Sequence, residues 1–266
     1  MPEITDNEFA QFQRFIYGAA GISLPNTKKA LVSGRLARRL AACKVSSYGD
    51  YFRLLSTGRQ PMEMQTAVDL LTTNETYFFR EPKHFAFLRR QVTAARKPGT
   101  SFRVWSAAGS TGEEAYSIAM MLEDCIPGQW DVMASDISTR VLERARVGHY
   151  SMERISHFPA GYLQRFCLKG RGSQEGTLLI EKHLREKVSF QQINLNGPLP
   201  QVGLFDVVFL RNVLIYFNTE TKRAVVARIL NTLRPGGFLL IGHSESLAEV
   251  STAVEVIAPA IYRKLP

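Results

Sequence analysis

The sequence predicts an α/β protein in which a helical N-terminal region precedes a parallel sheet. Three observations carry this. Residues 1–70 place apolar side chains at helical spacing and show no strand-like alternation. From residue 101 short apolar runs alternate with amphipathic stretches, the rhythm of strands joined by crossover helices. Residues 204–210, Leu-Phe-Asp-Val-Val-Phe-Leu, form an apolar run of the kind buried on both faces of a parallel sheet. With 266 residues and 45% hydrophobic content, the chain can hold a sizeable core in one large domain with an appendage, or in two modest domains.

Taken in order, residues 8–17 predict a first short amphipathic helix, and Pro25 opens a second that runs to about Cys43. On it Val32, Leu36, Leu40 and Cys43 share one face, the pattern of core burial. Lys28, Arg35 and Arg39 fall on an adjacent stripe with Arg38 beside them, and no acidic residue occurs from 26 to 44. Arg35, Arg38 and Arg39 are therefore a candidate basic docking surface; the alternative is a solvated face, which more often mixes signs. The sheet region begins with a strand at 102–108 and a helix at 112–124, then a strand at 131–137 and a helix at 138–147. The rhythm breaks between Tyr150 and Lys187. There a turn-rich loop at 170–176, flanked by β-like runs at 163–168 and 177–182, predicts a small antiparallel insertion. After the strand at 204–210, a helix at 219–233 is expected to end at Pro235-Gly236-Gly237. A strand at 238–242 and an antiparallel pair within 253–264 close the chain.

The formal charge of +9 calls for an acidic partner without choosing among nucleic acid, a membrane surface and protein. No apolar run approaches the ~20 residues that span a bilayer. The N-terminus lacks the basic-then-apolar layout of a signal peptide. Cys43, Cys125 and Cys167 are far apart and are expected to be reduced, and the histidines show no metal-type spacing. A cytoplasmic protein without a metal is the expectation.

The chemistry concentrates at residues 107–114, Ala-Ala-Gly-Ser-Thr-Gly-Glu-Glu, a tight turn between a strand and a helix. In a mononucleotide-binding unit such a turn cradles phosphate with free amides and the positive helix end. Gly109 and Gly112 are read as letting the backbone approach a ligand. Glu113 and Glu114, where the helix begins, disfavour a pyrophosphate and favour a ligand with hydroxyls and positive charge. S-adenosylmethionine fits better than NAD. The pattern is G-x-x-G, short of the dinucleotide fingerprint, and an ordinary strand-to-helix turn is the competing reading. Asp136 ends the next strand, where an acid bonds ribose hydroxyls; capping of a helix from Ser138 is the alternative. Asn194-Leu195 and Arg211-Asn212 lie at C-terminal strand ends, the edge where open α/β sheets bind ligands. Asn194 suits an adenine edge, and the run from Arg211 brings Tyr216 to the same rim. Residues 70–81 join the two regions, and polar Asn74, Thr76 and Arg80 alternate there with apolar neighbours, as suits a segment across a pocket. Packing between the regions by Tyr77, Phe78 and Phe79 is compatible with that.

Five motifs occur in order: Thr-Asn-Glu-Thr-Tyr-Phe-Phe-Arg-Glu, Ala-Ala-Gly-Ser-Thr-Gly-Glu-Glu-Ala-Tyr-Ser, Ala-Ser-Asp-Ile, Arg-Asn-Val-Leu-Ile-Tyr-Phe and Leu-Arg-Pro-Gly-Gly. Together they resemble the CheR family of chemotaxis receptor protein-glutamate O-methyltransferases over almost the whole chain. The resemblance implies an N-terminal helical domain at 1–72 and a linker at 73–100 that contacts the cofactor. It implies a Rossmann-like S-adenosylmethionine-dependent methyltransferase domain at 101–266, with a β-subdomain inserted at about 150–187. Cofactor binding is implied for Asn74, Thr76, Arg80, Glu114, Asp136, Asn194, Leu195, Arg211 and Asn212, and a catalytic role for Arg80 and Tyr216. Gly109 departs from the family, where many members carry Cys. The implied reaction methylates glutamate carboxylates of chemoreceptors and leaves S-adenosylhomocysteine. The implied partner is the cytoplasmic helical domain of a chemoreceptor, with no nucleic acid, no membrane insertion and a monomeric enzyme. A substrate glutamate, with a reference pKa of ~4.3, is ionised at neutral pH and needs no strong base. Rival classes fare worse. A nucleic-acid amino-methylating enzyme would show Asn/Asp-Pro-Pro-aromatic where this chain reads Arg-Asn-Val-Leu, and no cysteine nucleophile sits near a cofactor motif. A non-catalytic adaptor is disfavoured by the presence of Arg80 and Tyr216.

Overall fold

The computed structural model describes residues 2–94 and 100–265. Residues 95–99, at the end of the expected linker, lie outside the described residues. Thr5 caps α1 (Asp6–Ala20) in a reciprocal capping box with Glu8, and Gly21 ends it in the left-handed conformation. A 3₁₀ turn at Asn26–Lys28 leads into α2 (Lys29–Ala42). Val32, Leu36 and Leu40 of α2 are buried, and Cys43 is half-buried. α3 (Tyr48–Ser56) and α4 (Pro61–Leu71) complete the N-terminal helices, and α5 (Pro82–Ala94) follows the connecting segment.

The sheet region begins with β1 (Phe102–Ser106), α6 (Glu113–Cys125), β2 (Trp130–Asp136) and α7 (Thr139–Val147). β3 (His149–Ser151), α8 (Tyr162–Phe166), β4 (Cys167–Lys169) and β5 (Thr177–Ile180) form the insertion, whose antiparallel sheet has the order β3-β5-β4. After α9 (Lys182–Arg185) come β6 (Val188–Gln192), β7 (Phe205–Leu210), α10 (Thr219–Asn231), β8 (Leu233–Ile241), β9 (Val254–Ala258) and β10 (Ile261–Lys264). The large sheet has the order β6-β2-β1-β7-β8-β10-β9. Its first five strands run parallel, and β10 and β9 add antiparallel. Strand addition reverses between β1 and β7, so the crevice beyond their C-terminal ends is the natural ligand position. Alternate residues of β7 serve opposite layers. Val207 and Phe209 belong to the core containing Tyr116 and Ile118, whereas Val208 and Leu210 belong to the one containing Ile229 and Leu36.

A hydrogen-bonded joint between α4 and α7 helps tie the N-terminal helices to the sheet. The N-cap residue Ser138 gives α7 no side-chain bond. Asp69 of α4 supplies it instead, accepting from Thr139 N at 3.1 Å and Thr139 Oγ1 at 3.0 Å. A carboxylate there also meets the positive end of the helix dipole.

Two expectations need correction. Residues 163–166 are helical, within α8, and only Cys167–Lys169 joins the small sheet, together with β3, a strand too short to show a period. Pro235-Gly236-Gly237 does not terminate α10, which ends at Asn231. It lies inside β8, where the register against β7 shifts between Phe205 and Val207. A Cβ on Gly237 would come within 3.0 Å of the carbonyls of Asp206 and Arg234, which is why the bulge takes glycine. Among the described residues, no helix is long and apolar enough to cross a membrane.

Candidate active site

A cleft of about 850 Å³, counted out to its open mouth, lies beyond the C-terminal ends of β1, β2, β6 and β7. Asn74, Thr76 and Arg80 line it from the connecting segment, Glu114 from the start of α6, and Asp136 from the end of β2. Asn194 and Leu195 follow β6, and Arg211, Asn212 and Tyr216 follow β7; all of them line the same cleft.

The turn after β1 is held from below. Ala107 N donates to Phe209 O and Gly109 N to Ser135 O, both at 2.8 Å. Neither glycine lines the cleft, although Ala108 and Ser110 beside Gly109 do, and both glycines are closely packed from behind. A Cβ on Gly109 would meet Ser106 Oγ at 2.9 Å, and Gly112, at φ 95°, would meet Tyr150 and Ala145. The two glutamates also part company. Glu114 faces the cleft, accepting from Ser106 Oγ at 2.7 Å and pairing with Arg211 at 3.0 Å, and burial pushes its pKa up. Glu113 is fully buried on another side, paired with Arg154 of the insertion and bonded by Thr111 Oγ1.

Asp136 bonds the backbone on either side of the crevice, just short of the first-turn amides of α7 that Asp69 caps. One oxygen accepts from Ser138 N at 2.9 Å, the other from Ser110 N at 3.0 Å. Burial, partly offset by these amides, pushes its pKa up to about 6. Asn194 is anchored by donating to Ala19 O at 2.7 Å and accepting from Asn196 N. Asn74 carries the connecting segment onto the turn, because Ser110 Oγ donates to its carbonyl at 3.0 Å. Thr76 presents its carbonyl to Arg154 at 3.1 Å.

Arg211 is buried at the back of the site, not solvated at the sheet rim. It pairs with Glu81 at 3.1 Å and with Glu114 at 3.0 Å. Arg80, by contrast, is half-buried; among the described residues its guanidinium bonds Glu75 O and lies over the Tyr77 ring. Tyr216 sits half-buried on a 3₁₀ turn, Leu214–Tyr216. That turn is fixed by Glu245, which accepts from Asn212 N at 2.9 Å and Ile215 N at 3.2 Å.

The basic stripe on α2 fares differently. Arg39 is paired with Glu63 of α4, Nε to Oε1 at 2.9 Å. Arg35 donates to the carbonyls of Leu71 and Thr72 at 3.1 and 2.9 Å and so braces the start of the connecting segment. Arg38 is the one of the three left exposed to solvent. The missing acids between 26 and 44 concealed these partners, since they come from beyond that stretch.

Glu81, His84 and Glu245 carry no sequence-level assignment. Glu81 follows Arg80 inside a quoted motif; His84 and Glu245 gave no local signal. His84 is fully buried with neither ring nitrogen hydrogen-bonded, and burial, reinforced by Arg211, pulls its pKa down to about 3. Ligand atoms of Glu81, His84 and His243 lie within 4.8 Å of one another.

A parallel sheet with a polar-lined crevice at its switch point and an acid ending β2 defines an α/β protein built to bind a nucleoside-bearing cofactor. Comparison with known proteins narrows this. Residues 74–262 match the family model described as CheR methyltransferase, SAM binding domain, and residues 7–72 the one described as CheR methyltransferase, all-alpha domain. The chain belongs to the CheR methyltransferase family. It is 40% identical over 263 residues to the chemotaxis protein methyltransferase of Escherichia coli, covering 97% of this chain and 91% of that one. It is 41% identical over 267 residues to chemotaxis protein methyltransferase 2 of Pseudomonas aeruginosa, covering 97% of this chain and 93% of that one.

Proposed function

We propose that this chain transfers the methyl group of S-adenosylmethionine to glutamate side chains of chemoreceptors, giving glutamate methyl esters and S-adenosylhomocysteine in sensory adaptation. The observation that carries the reading is the convergence of all ten candidate cofactor-binding and catalytic residues on one cleft, with Arg80 and Tyr216 among them. The residues fit the cofactor. Ile137, Ile193 and Leu195 give an apolar wall for a flat base, and the Asn194 amide stands beside them. Asp136 offers acceptor oxygens to a vicinal diol. Glu114 and Arg211 present opposite charges to an ammonium and a carboxylate.

When bound, S-adenosylmethionine supplies an electrophilic methyl group on a positively charged sulfur. The chain's own residues do the rest. Arg80, with a largely uncommitted guanidinium, holds the incoming carboxylate by charge-assisted hydrogen bonds. Tyr216 orients it through its hydroxyl, and the segment from Asn74 to Arg80 keeps water from the reacting atoms. No residue need remove a proton, because the nucleophile arrives ionised. The decisive experiment incubates the protein with labelled cofactor and receptor-bearing membranes and looks for base-labile methyl ester. Label found instead in nucleic acid, or none at all beside intact cofactor binding, would sink the reading in favour of the rival classes.

The pH dependence follows from Asp136. Only its carboxylate form accepts from two ribose hydroxyls while keeping its backbone amides. With its pKa at about 6, affinity for S-adenosylhomocysteine is expected to hold above pH 7 and to weaken as pH falls through 6. Well below 6 the loss approaches about tenfold per pH unit, one proton being taken up per site. Calorimetry between pH 5 and 8 checks this, and flat affinity would remove Asp136 from the site.

Docking on the acidic face of a receptor is assigned to Arg38 with Lys28, both exposed, and not to the whole stripe. Arg38→Glu is expected to weaken receptor binding and to flatten its salt dependence, read from binding at 50 and 300 mM salt, with cofactor affinity untouched.

A further inference from the structure

We propose that Glu81, His84 and His243 form a binding site for a divalent transition-metal ion of the zinc class. The three come from the end of the connecting segment, the first turn of α5 and the loop just beyond β8. His84 Nδ1 lies 3.3 Å and His243 Nε2 3.8 Å from Glu81 Oε2, with all the donor atoms within 4.8 Å. A tetrahedral zinc ion with ligand bonds of about 2.0–2.2 Å puts its donors slightly more than 3 Å apart, so a small contraction completes the set.

The buried side of the cluster shows an unmet need. His84 is wholly shielded from solvent, yet neither of its ring nitrogens has a hydrogen-bond partner, while Glu81 Oε2 stands 3.3 Å from its Nδ1 and 3.1 Å from the Arg211 guanidinium. Buried polar atoms are rarely left so. One ion answers one nitrogen of His84 and bridges it to the Glu81 oxygen. The exposed edge is suited to entry, since the His243 side chain is 44% exposed and free to swing onto the ion. The surrounding charge also admits a cation. Arg211 touches Glu81, but Glu114 flanks that guanidinium on its other side, and Asn212 bridges Glu81 to a third carboxylate, Glu245. Two imidazoles and one carboxylate favour zinc, nickel or cobalt over magnesium or calcium, which prefer oxygen ligands. No metal-type spacing marks the trio, because only Glu81 and His84 are neighbours in the chain. Bound there, the ion clasps the C-terminal edge of β8 to the segment that carries Arg80.

The test uses untagged full-length protein stripped with a chelator and titrated with zinc chloride alone by calorimetry, with cobalt absorption as a second probe. One equivalent of zinc is expected, together with a cobalt band typical of nitrogen and oxygen ligands and a higher melting temperature. His243→Ala, at an exposed position that leaves folding intact, is expected to weaken zinc binding by at least about 10–100-fold, as losing even an outer-shell partner does, and to abolish the melting shift. Substituting the exposed His149, His157 and His183 together should change neither. Zinc binding that survives His243→Ala, or no binding above dilution heat, overturns the proposal.

Discussion

Arg211→Met is expected to cost about 3–5 kcal/mol of folding stability, the penalty for removing one partner from a buried ion pair. The side chain is 1% exposed, and its guanidinium stands between Glu81 and Glu114, so truncation leaves two shielded carboxylates facing each other with no counter-charge. Urea unfolding reads the loss. Adding Glu81→Gln and Glu114→Gln to the same protein should restore a substantial part of it, because uncompensated charge and not lost packing is the cause. A single variant that unfolds at the parent's urea concentration would show that solvent reaches the trio after all.

Arg80→Ala should leave the melting temperature near the parent's, since the side chain gives up one bond to Glu75 O and its place over Tyr77. Methyl transfer, in contrast, is expected to fall about 10²–10³-fold, the loss typical of deleting one charge-stabilising group at a reacting centre. Arg80→Lys keeps the charge but not the planar fork, and should recover only part of the rate. Turnover at the parent's rate in Arg80→Ala would remove Arg80 from the chemistry and leave Tyr216 to be tested alone.

The alternation of strands and helices was legible because burial imposes a period on each element, as Val207 and Phe209 against Val208 and Leu210 show. The rim residues were legible because strand ends at a switch point have one destination. Neighbours in sequence were harder to separate. Glu113 and Glu114 stand about 100° apart around the helix, so one faces the cleft and the other the insertion, and no local pattern tells which. The partners within the basic stripe were hidden for a related reason. Periodicity places Arg35 and Arg39 on a surface of α2, but their partners, Glu63 and the carbonyls of Leu71 and Thr72, arrive only when α4 folds back. The irregular Pro-Gly-Gly stretch was read as punctuation between elements because a bulge within a strand has the same composition as a turn.

The bond from Asp69 to the start of α7 bears on how freely such proteins can be recombined. Asp69 caps the helix whose entry turn also carries Asp136, so a residue of the N-terminal helices fixes the backbone that presents an acid to the cofactor cleft. A chimera that grafts foreign N-terminal helices onto this catalytic half inherits a ready fold only if it brings an acid to that position. Exchange of N-terminal helices between relatives is thereby limited to donors that carry the same latch.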